Sequence, residues 1–300
     1  MWAMNNNSPS TGQLGRKTIG LLLNFQKNEI SEHLIYARLS ALAKTDNNRS
    51  IIAKISADEL RHYNVYKSYT KQDVKPNRFK IWWYLFLARI FGITFSIKLM
   101  ENGEKGAQEV YRRMIGILPE IEQIIKDESG HENELVKLID EEKLKYIGAV
   151  VLGMNDALVE LTGTLAGLTF ALQNGKLVGV AGLITGVAAA LSMAASEYLS
   201  AKVDGHMNPL RASFYTGLTY FIVVSFLVLP FLLLNSPFIA ILFTLLTAVI
   251  MIGLFNYYYS VVKEVAFPRR FAEMLAISLG VAFLSFVIGL IIRQFLGIDV

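Results

Sequence analysis

The pattern of apolar and polar positions divides this 300-residue chain into two unlike halves. Residues 17–145 place apolar side chains at three- and four-residue intervals, which is typical of amphipathic helices. We expect these helices over 17–44, 48–72, 80–116 and 119–143. Residues 146–300 instead hold long apolar runs separated by short polar loops. The pattern therefore predicts an all-α protein, in which a helical domain is followed by a membrane domain.

Five apolar stretches in the second half have the roughly 20 residues that a helix needs to cross a bilayer. They cover 146–170, 175–199, 212–234, 237–259 and 272–294. Basic residues cluster before the first, after the second and after the fourth: Lys143, Lys145, Lys202, Arg211, Lys263, Arg269 and Arg270. Because positive loops usually face the cytoplasm, we expect a multi-pass cell-membrane protein with a cytoplasmic N-terminal domain. Residues 1–16 are polar and are expected to form a disordered tail.

Composition narrows the chemistry that the protein can perform. The chain is 53% hydrophobic and 18% charged, which fits a membrane protein. It has no cysteine, so disulfides, zinc–thiolate sites and iron–sulfur clusters are excluded. The net charge of +4 is small, and no basic patch suited to nucleic acid is visible.

Residues 79–100 are apolar enough to suggest a sixth span. Arg89 and Lys98 interrupt this stretch, and a span would carry the acids that follow it away from the helical domain. We therefore expect one long helix, whose Trp82, Trp83 and Tyr84 lie on the membrane surface or against a second subunit.

A glutamate followed three residues later by a histidine occurs twice in the first half, in DELRHY (58–63) and in DESGHE (127–132). Helical positions three apart share a face, so each pair can bind one metal. Dinuclear four-helix bundles combine two such pairs with a glutamate from each of the other two helices. The predicted ligands are Glu29, Glu59, His62, Glu101, Glu104, Glu128 and His131. Glu32 and His33 are additional candidates, with a polar helix face as the alternative.

This ligand pattern resembles that of the ferritin-like domain of rubrerythrins. The resemblance implies a ferritin-like four-helix bundle with a di-iron, or mixed iron and manganese, centre. Glu59 and Glu128 would bridge the two ions, and His62 and His131 would be terminal ligands. Rubrerythrins also hold a cysteine-bound iron, which this chain cannot provide.

Carboxylates also occur inside the predicted spans. Asp156 and Glu160 lie four residues apart on the first span, and Glu197 follows Met193 by one turn on the second. Acids within a membrane are costly and usually mark an ion or proton path, although a hydrated position at a helix end is the alternative. Carboxylates together with the thioether of Met193 suit a soft-to-borderline divalent metal.

The segments GMNDALVELTGTLAGL and AAALSMAASEYLSAK resemble the first two spans of the vacuolar iron transporter family. The resemblance implies a homodimer with five spans per chain that exports iron(II) or manganese(II) from the cytosol in exchange for protons. The family's membrane aspartate corresponds to Asp156 and its methionine to Met193. The whole chain resembles membrane-bound ferritins, in which a rubrerythrin-like domain precedes such a transporter. The alternatives are a ferroxidase or peroxidase that the spans only tether, and an iron-binding regulator.

The loop charges predict that residues 173–176 and 261–270 lie on opposite sides of the membrane. Because the chain has no native cysteine, one cysteine can be introduced into each loop separately. In intact cells, an impermeant maleimide should label the first loop and leave the second unlabelled. Labelling of both loops from outside would contradict the five-span arrangement.

Overall fold

The computed structural model describes residues 15–112, 118–136, 146–205 and 208–296. These residues form helices and contain no strand, so the all-α prediction is confirmed for this part of the chain. Contacts divide the chain into two compact units, Met1–Glu141 and Glu142–Val300. The predicted tail lies almost wholly outside the described residues, and the first helix begins at Arg16.

The described residues of the N-terminal unit form five helices: α1 Arg16–Leu42, α2 Asp46–Thr70, α3 Arg78–Phe91, α4 Ile93–Arg112 and α5 Ile121–Val136. Side-chain caps explain where two of them begin. The Thr45 hydroxyl accepts a hydrogen bond from the Asn48 amide, and the Asn77 side chain accepts one from the Lys80 amide. Each cap satisfies an amide that has no partner within the first turn of its helix.

The prediction of one helix over 80–116 is wrong, because Gly92 divides it into α3 and α4. Gly92 has φ of 100°, a backbone conformation that residues other than glycine rarely adopt. The 14 residues of α3 span roughly 21 Å, less than the hydrocarbon core of a bilayer, so α3 cannot form a sixth span. The predicted ends of the third and fourth helices, 113–116 and 137–143, lie outside the described residues.

Among the described residues, two apolar clusters hold the N-terminal unit together. One joins Leu22 and Phe25 of α1, Tyr66 and Tyr69 of α2, and Ile121 and Ile124 of α5. The other joins Ile35 and Leu39 of α1, Ile52 and Ile55 of α2, Leu135 of α5, and residues of α3 and α4. On α1, α2 and α5, a polar segment lies between the residues of the two clusters. These segments contain Glu29, Glu59 with His62, and Glu128 with His131.

The C-terminal unit is formed by α6 Ile147–Leu172, α7 Gly175–Asp204, α8 Pro209–Leu233, α9 Pro237–Lys263 and α10 Phe267–Leu296. All five helices are long and apolar enough to cross a membrane, which confirms the predicted spans. Many large apolar side chains, such as Leu242, Leu254 and Phe283, point outward from this unit. Such an exterior is suited to lipid.

Glycines let the backbones of these helices touch. A Cβ added at Gly289 of α10 would lie 2.3 Å from the carbonyl oxygen of Gly167 on α6, and one at Gly153 would lie 2.4 Å from that of Thr216 on α8. At Gly186 of α7, it would lie 2.5 Å from a Val224 methyl. Lipid supplies no hydrophobic driving force between helices, so close van der Waals contact of this kind is an important source of their association.

The contact at Gly289 predicts a position-specific loss of stability. Gly289→Ala should destabilise the protein by about 1–3 kcal/mol, because the added methyl meets backbone that cannot rotate away. The matched control is Gly280→Ala on the same helix, where a Cβ meets nothing within 4 Å. Thermal unfolding of the detergent-solubilised protein, followed by helix ellipticity, measures the difference. Equal melting temperatures for the two variants would contradict this packing.

Candidate metal centre

The two Glu-x-x-His motifs face each other across α2 and α5. Glu59 and His62 come from α2, and Glu128 and His131 come from α5. The imidazole rings of His62 and His131 are stacked, with centroids 6.1 Å apart. Nδ1 of His131 lies 3.4 Å from Oε1 of Glu59, so each motif reaches the ligands of the other.

Carboxylates from three helices converge on His62. Its Nδ1 lies 3.5 Å from Oε2 of Glu29 on α1, 3.5 Å from Oε2 of Glu59 and 3.4 Å from Oε1 of Glu128. The four residues each offer one ligand atom within 4.8 Å of the others. Glu29, Glu59 and His62 are buried, and Glu128 is nearly so. This buried group could bind a metal ion.

The outer nitrogen of each imidazole is fixed by an aspartate of the opposite motif. Nε2 of His62 lies 3.3 Å from Oδ2 of Asp127, and Nε2 of His131 lies 3.1 Å from Oδ2 of Asp58. Nη2 of Arg61 lies 2.7 Å from Oδ1 of Asp58 and 2.9 Å from Oδ2 of Asp127, and so links the two aspartates. When each Nε2–H donates to its aspartate, the lone pair of Nδ1 is directed inward, as a metal ligand requires.

Several buried atoms at the centre have no hydrogen bond to any described residue. They are Oε2 of Glu29, Oε2 of Glu59, Nδ1 of His62 and Nδ1 of His131. A buried polar atom without a partner is costly, and here four of them belong to the predicted ligand set. Carboxylate oxygens with neutral imidazole nitrogens suit iron(II) or manganese(II). The donor set therefore fits such an ion.

Burial and the close approach of carboxylates and imidazoles shift the pKa values of the group. Burial raises the pKa of Glu29 and that of Glu128, and the negative charge of Glu59 raises both further. Burial alone would raise the pKa of Glu59 too, but the two adjacent imidazoles outweigh it and lower that pKa. Burial alone would lower the pKa of His62, but the three surrounding carboxylates raise it strongly.

The pKa values of His131 and Glu101, two further predicted ligands, are also shifted by burial and by nearby groups. Burial opposes the charging of His131, but the carboxylates of Glu59, Glu128 and Asp58 raise its pKa to about 9. Burial raises the pKa of Glu101 on α4 to about 7, against the opposing hydrogen bond that the Tyr36 hydroxyl donates to its Oε1 over 2.7 Å. The side chain of Glu104 lies outside the described residues.

Glu32 and His33 are not brought to this group. The buried carboxylate of Glu32 accepts a hydrogen bond of 2.5 Å from Nζ of Lys80 on α3. Nδ1 of His33 lies 2.7 Å from the carbonyl oxygen of Ser56, to which it can donate. Both side chains therefore join neighbouring helices, at places separate from the converging ligands.

Asp58, Asp127 and Arg61 are functional candidates that the sequence analysis did not identify. A signal for the aspartates was present, since an aspartate directly precedes the glutamate in both motifs. Tyr36 had no such signal, because its contact with Glu101 joins residues 65 positions apart.

In the C-terminal unit, the predicted transport residues lie on two neighbouring helices. Asp156 and Glu160 share one face of α6, and Oε2 of Glu160 accepts a hydrogen bond of 2.6 Å from the buried Tyr220 hydroxyl of α8. On α7, Met193 packs against the apolar core and Glu197 is half-buried. Within the described residues, no hydrogen bond or ion pair joins the α6 acids to Met193 or Glu197.

The comparison with known families concerns the same two helices, α6 and α7. Residues 147–206 match the sequence model of the VIT family. With the five apolar helices, this match supports a membrane domain like that of the vacuolar iron transporters. The match includes Asp156, Glu160, Met193 and Glu197. No curated protein and no solved structure matches the chain.

The raised pKa values predict that metal displaces protons from the N-terminal unit. The proton on His131 contributes stability fully below its unfolded pKa of 6.5, and this contribution is lost as pH rises through about 9. At pH 7, adding manganese(II) to the metal-free protein should therefore release at least about one proton per ion. A pH-indicator dye in weak buffer measures the release.

His131→Gln should reduce this proton release, because it removes the titrating imidazole. The matched control is His33→Gln, which changes a histidine outside the ligand group and should release as many protons as the native chain. Unchanged release in His131→Gln would show that His131 is not protonated in the metal-free protein.

Proposed function

We propose that this protein transports iron(II) or manganese(II) across a membrane, and that its N-terminal unit binds the same ions at a dinuclear, ferritin-like centre. The observation that carries the proposal is the VIT family match over the two helices that bear Asp156, Glu160, Met193 and Glu197. The five apolar helices fit metal transport better than simple anchoring, for which one span is enough.

In the membrane unit, Asp156 is the principal ligand of the transported ion in this proposal. Met193 adds a thioether that favours iron(II) and manganese(II) over magnesium. Glu160, held by Tyr220, and Glu197 exchange protons as the ion enters and leaves. A second copy of the chain would complete the path, because among the described residues no hydrogen bond or ion pair joins the α6 acids to Met193 or Glu197.

In the N-terminal unit, Glu59, Glu128, His62 and His131 would hold the two ions, the histidines through Nδ1. Glu29, Glu101 and Glu104 would complete the ligand set. The support is the two-fold repetition of the contacts, since each histidine meets a glutamate and an aspartate of the other motif. Iron bound there supplies redox chemistry toward oxygen or peroxide.

The N-terminal unit would face the cytosol, as the loop charges favour, and transport would run outward against protons. A bound ion neutralises the mutually repelling carboxylates, so cytosolic metal is drawn to this unit before export. The second candidate is a ferroxidase or peroxidase that the spans only tether. It is favoured by one observation, namely that the converging ligand group lies wholly in the N-terminal unit.

Reconstituted liposomes with an acidic interior distinguish these functions. The full chain should drive iron(II) and manganese(II) uptake, and Asp156→Asn should reduce it by about tenfold or more, because the amide keeps the shape and loses the charge. The matched control is Glu273→Gln on α10, whose exposed carboxylate pairs with Arg269. Glu59→Gln should leave uptake nearly unchanged and remove metal from the N-terminal unit.

Three results would each contradict part of the proposal. Uptake by Asp156→Asn at the native rate would exclude the transport path as described. Absence of uptake by the native chain, together with oxygen consumption when iron(II) is added, would favour the tethered enzyme. Metal binding by Glu59→Gln at the native stoichiometry would exclude the dinuclear centre without affecting the transport result.

A further inference from the structure

Helix α3 exposes a continuous aromatic face, formed by Phe79, Trp82, Trp83 and Phe86. Phe79 is 70% exposed and Trp82 56% exposed. The rings touch one another, with centroids 5.4 Å apart for Trp82 and Phe86 and 6.5 Å apart for Phe79 and Trp83. The opposite side of the helix packs into the N-terminal unit. A contiguous exposed patch of large aromatic side chains usually marks a contact with another surface.

Three arginines border this face. Arg38 of α1 and Arg78 and Arg89 of α3 line a groove of about 650 Å³ together with Trp82 and Phe86. None of the three pairs with a carboxylate in the described part of the chain, and all three are exposed. The groove therefore combines an apolar wall with guanidinium groups that are free to bind an anion.

The surrounding sequence contains no negative charge that could neutralise the groove locally. Residues 74–100 hold Lys75, Arg78, Lys80, Arg89 and Lys98 and no Asp or Glu. The carboxylate of Glu32 on α1 is already paired with Lys80. An occupant of the groove must therefore bring its own negative charge, together with apolar surface for the aromatic rings.

We propose that α3 lies flat in the headgroup region of an anionic bilayer, with Arg38, Arg78 and Arg89 binding lipid phosphates. Tryptophan is favoured at the depth of the headgroups, and a short basic amphipathic helix binds in the plane of the interface. A second copy of the chain fits less well, because a symmetric contact would bring one set of arginines against the other. The proposal does not depend on metal transport.

The tryptophans provide a direct test in the full-length protein. The chain has three, and Trp2→Phe leaves Trp82 and Trp83 as the only tryptophan emitters. This variant is placed in nanodiscs whose lipids carry bromine near the top of the acyl chains. Bromine quenches tryptophan at short range, so strong quenching is expected in anionic discs and weak quenching in neutral ones.

Charge variants identify the role of the arginines. Combining Arg38→Gln, Arg78→Gln and Arg89→Gln should abolish the difference between anionic and neutral discs. The matched control combines Lys44→Gln, Arg49→Gln and Lys126→Gln, which removes the same charge from exposed positions elsewhere in the unit and should preserve that difference. Helix ellipticity confirms that both variants are folded.

Each remaining outcome overturns the proposal in a defined way. No quenching in either disc, with disulfide cross-linking between copies of Phe79→Cys, would assign the aromatic face to a second copy of the chain. Equal quenching in both discs would exclude phosphate binding by the arginines. Loss of quenching on adding inorganic phosphate at constant ionic strength would show that the groove takes free phosphate instead of lipid.

Discussion

The N-terminal unit depends on burying several acids beside two imidazoles, between its two apolar clusters. A buried charge without partners is strongly destabilising, and breaking one of a buried pair typically costs about 3–5 kcal/mol. The crossed contacts of His62 with Asp127 and of His131 with Asp58 compensate part of this cost, and Arg61 links both aspartates at the surface. They also fix α2 and α5 in register, because a shift of either helix would break both contacts.

The same constraint applies in the C-terminal unit, with lipid in place of protein interior. A carboxylate at membrane depth needs an internal partner, and Glu160 has the Tyr220 hydroxyl. That contact requires α6 and α8 to lie close together. Gly153 permits this approach, since any larger residue there would meet the Thr216 backbone. The small residues and the acids of these helices therefore support each other.

Local patterns predicted the five spans and the inward-facing Glu-x-x-His pairs, because each depends on residues within one helix. Contacts between helices were not predictable in this way. The pairing of Glu32 with Lys80, which lies apart from the converging ligands, joins residues 48 positions apart. The break at Gly92 was missed for a different reason. A single glycine in an apolar run is compatible with a continuous helix, and only its φ of 100° decides otherwise.

The break at Gly92 separates a basic, aromatic helix from a helix that presents a buried acid. Before it, α3 carries basic and aromatic residues that favour an anionic surface. After it, α4 packs Ile97 and Met100 into the apolar core and presents Glu101, whose pKa is raised by burial and further by the charges of Glu128 and Glu59. Only eight residues, roughly 13 Å of helix, separate the glycine from that acid. A continuous helix would fix both groups on one straight axis, whereas the glycine allows each helix its own direction.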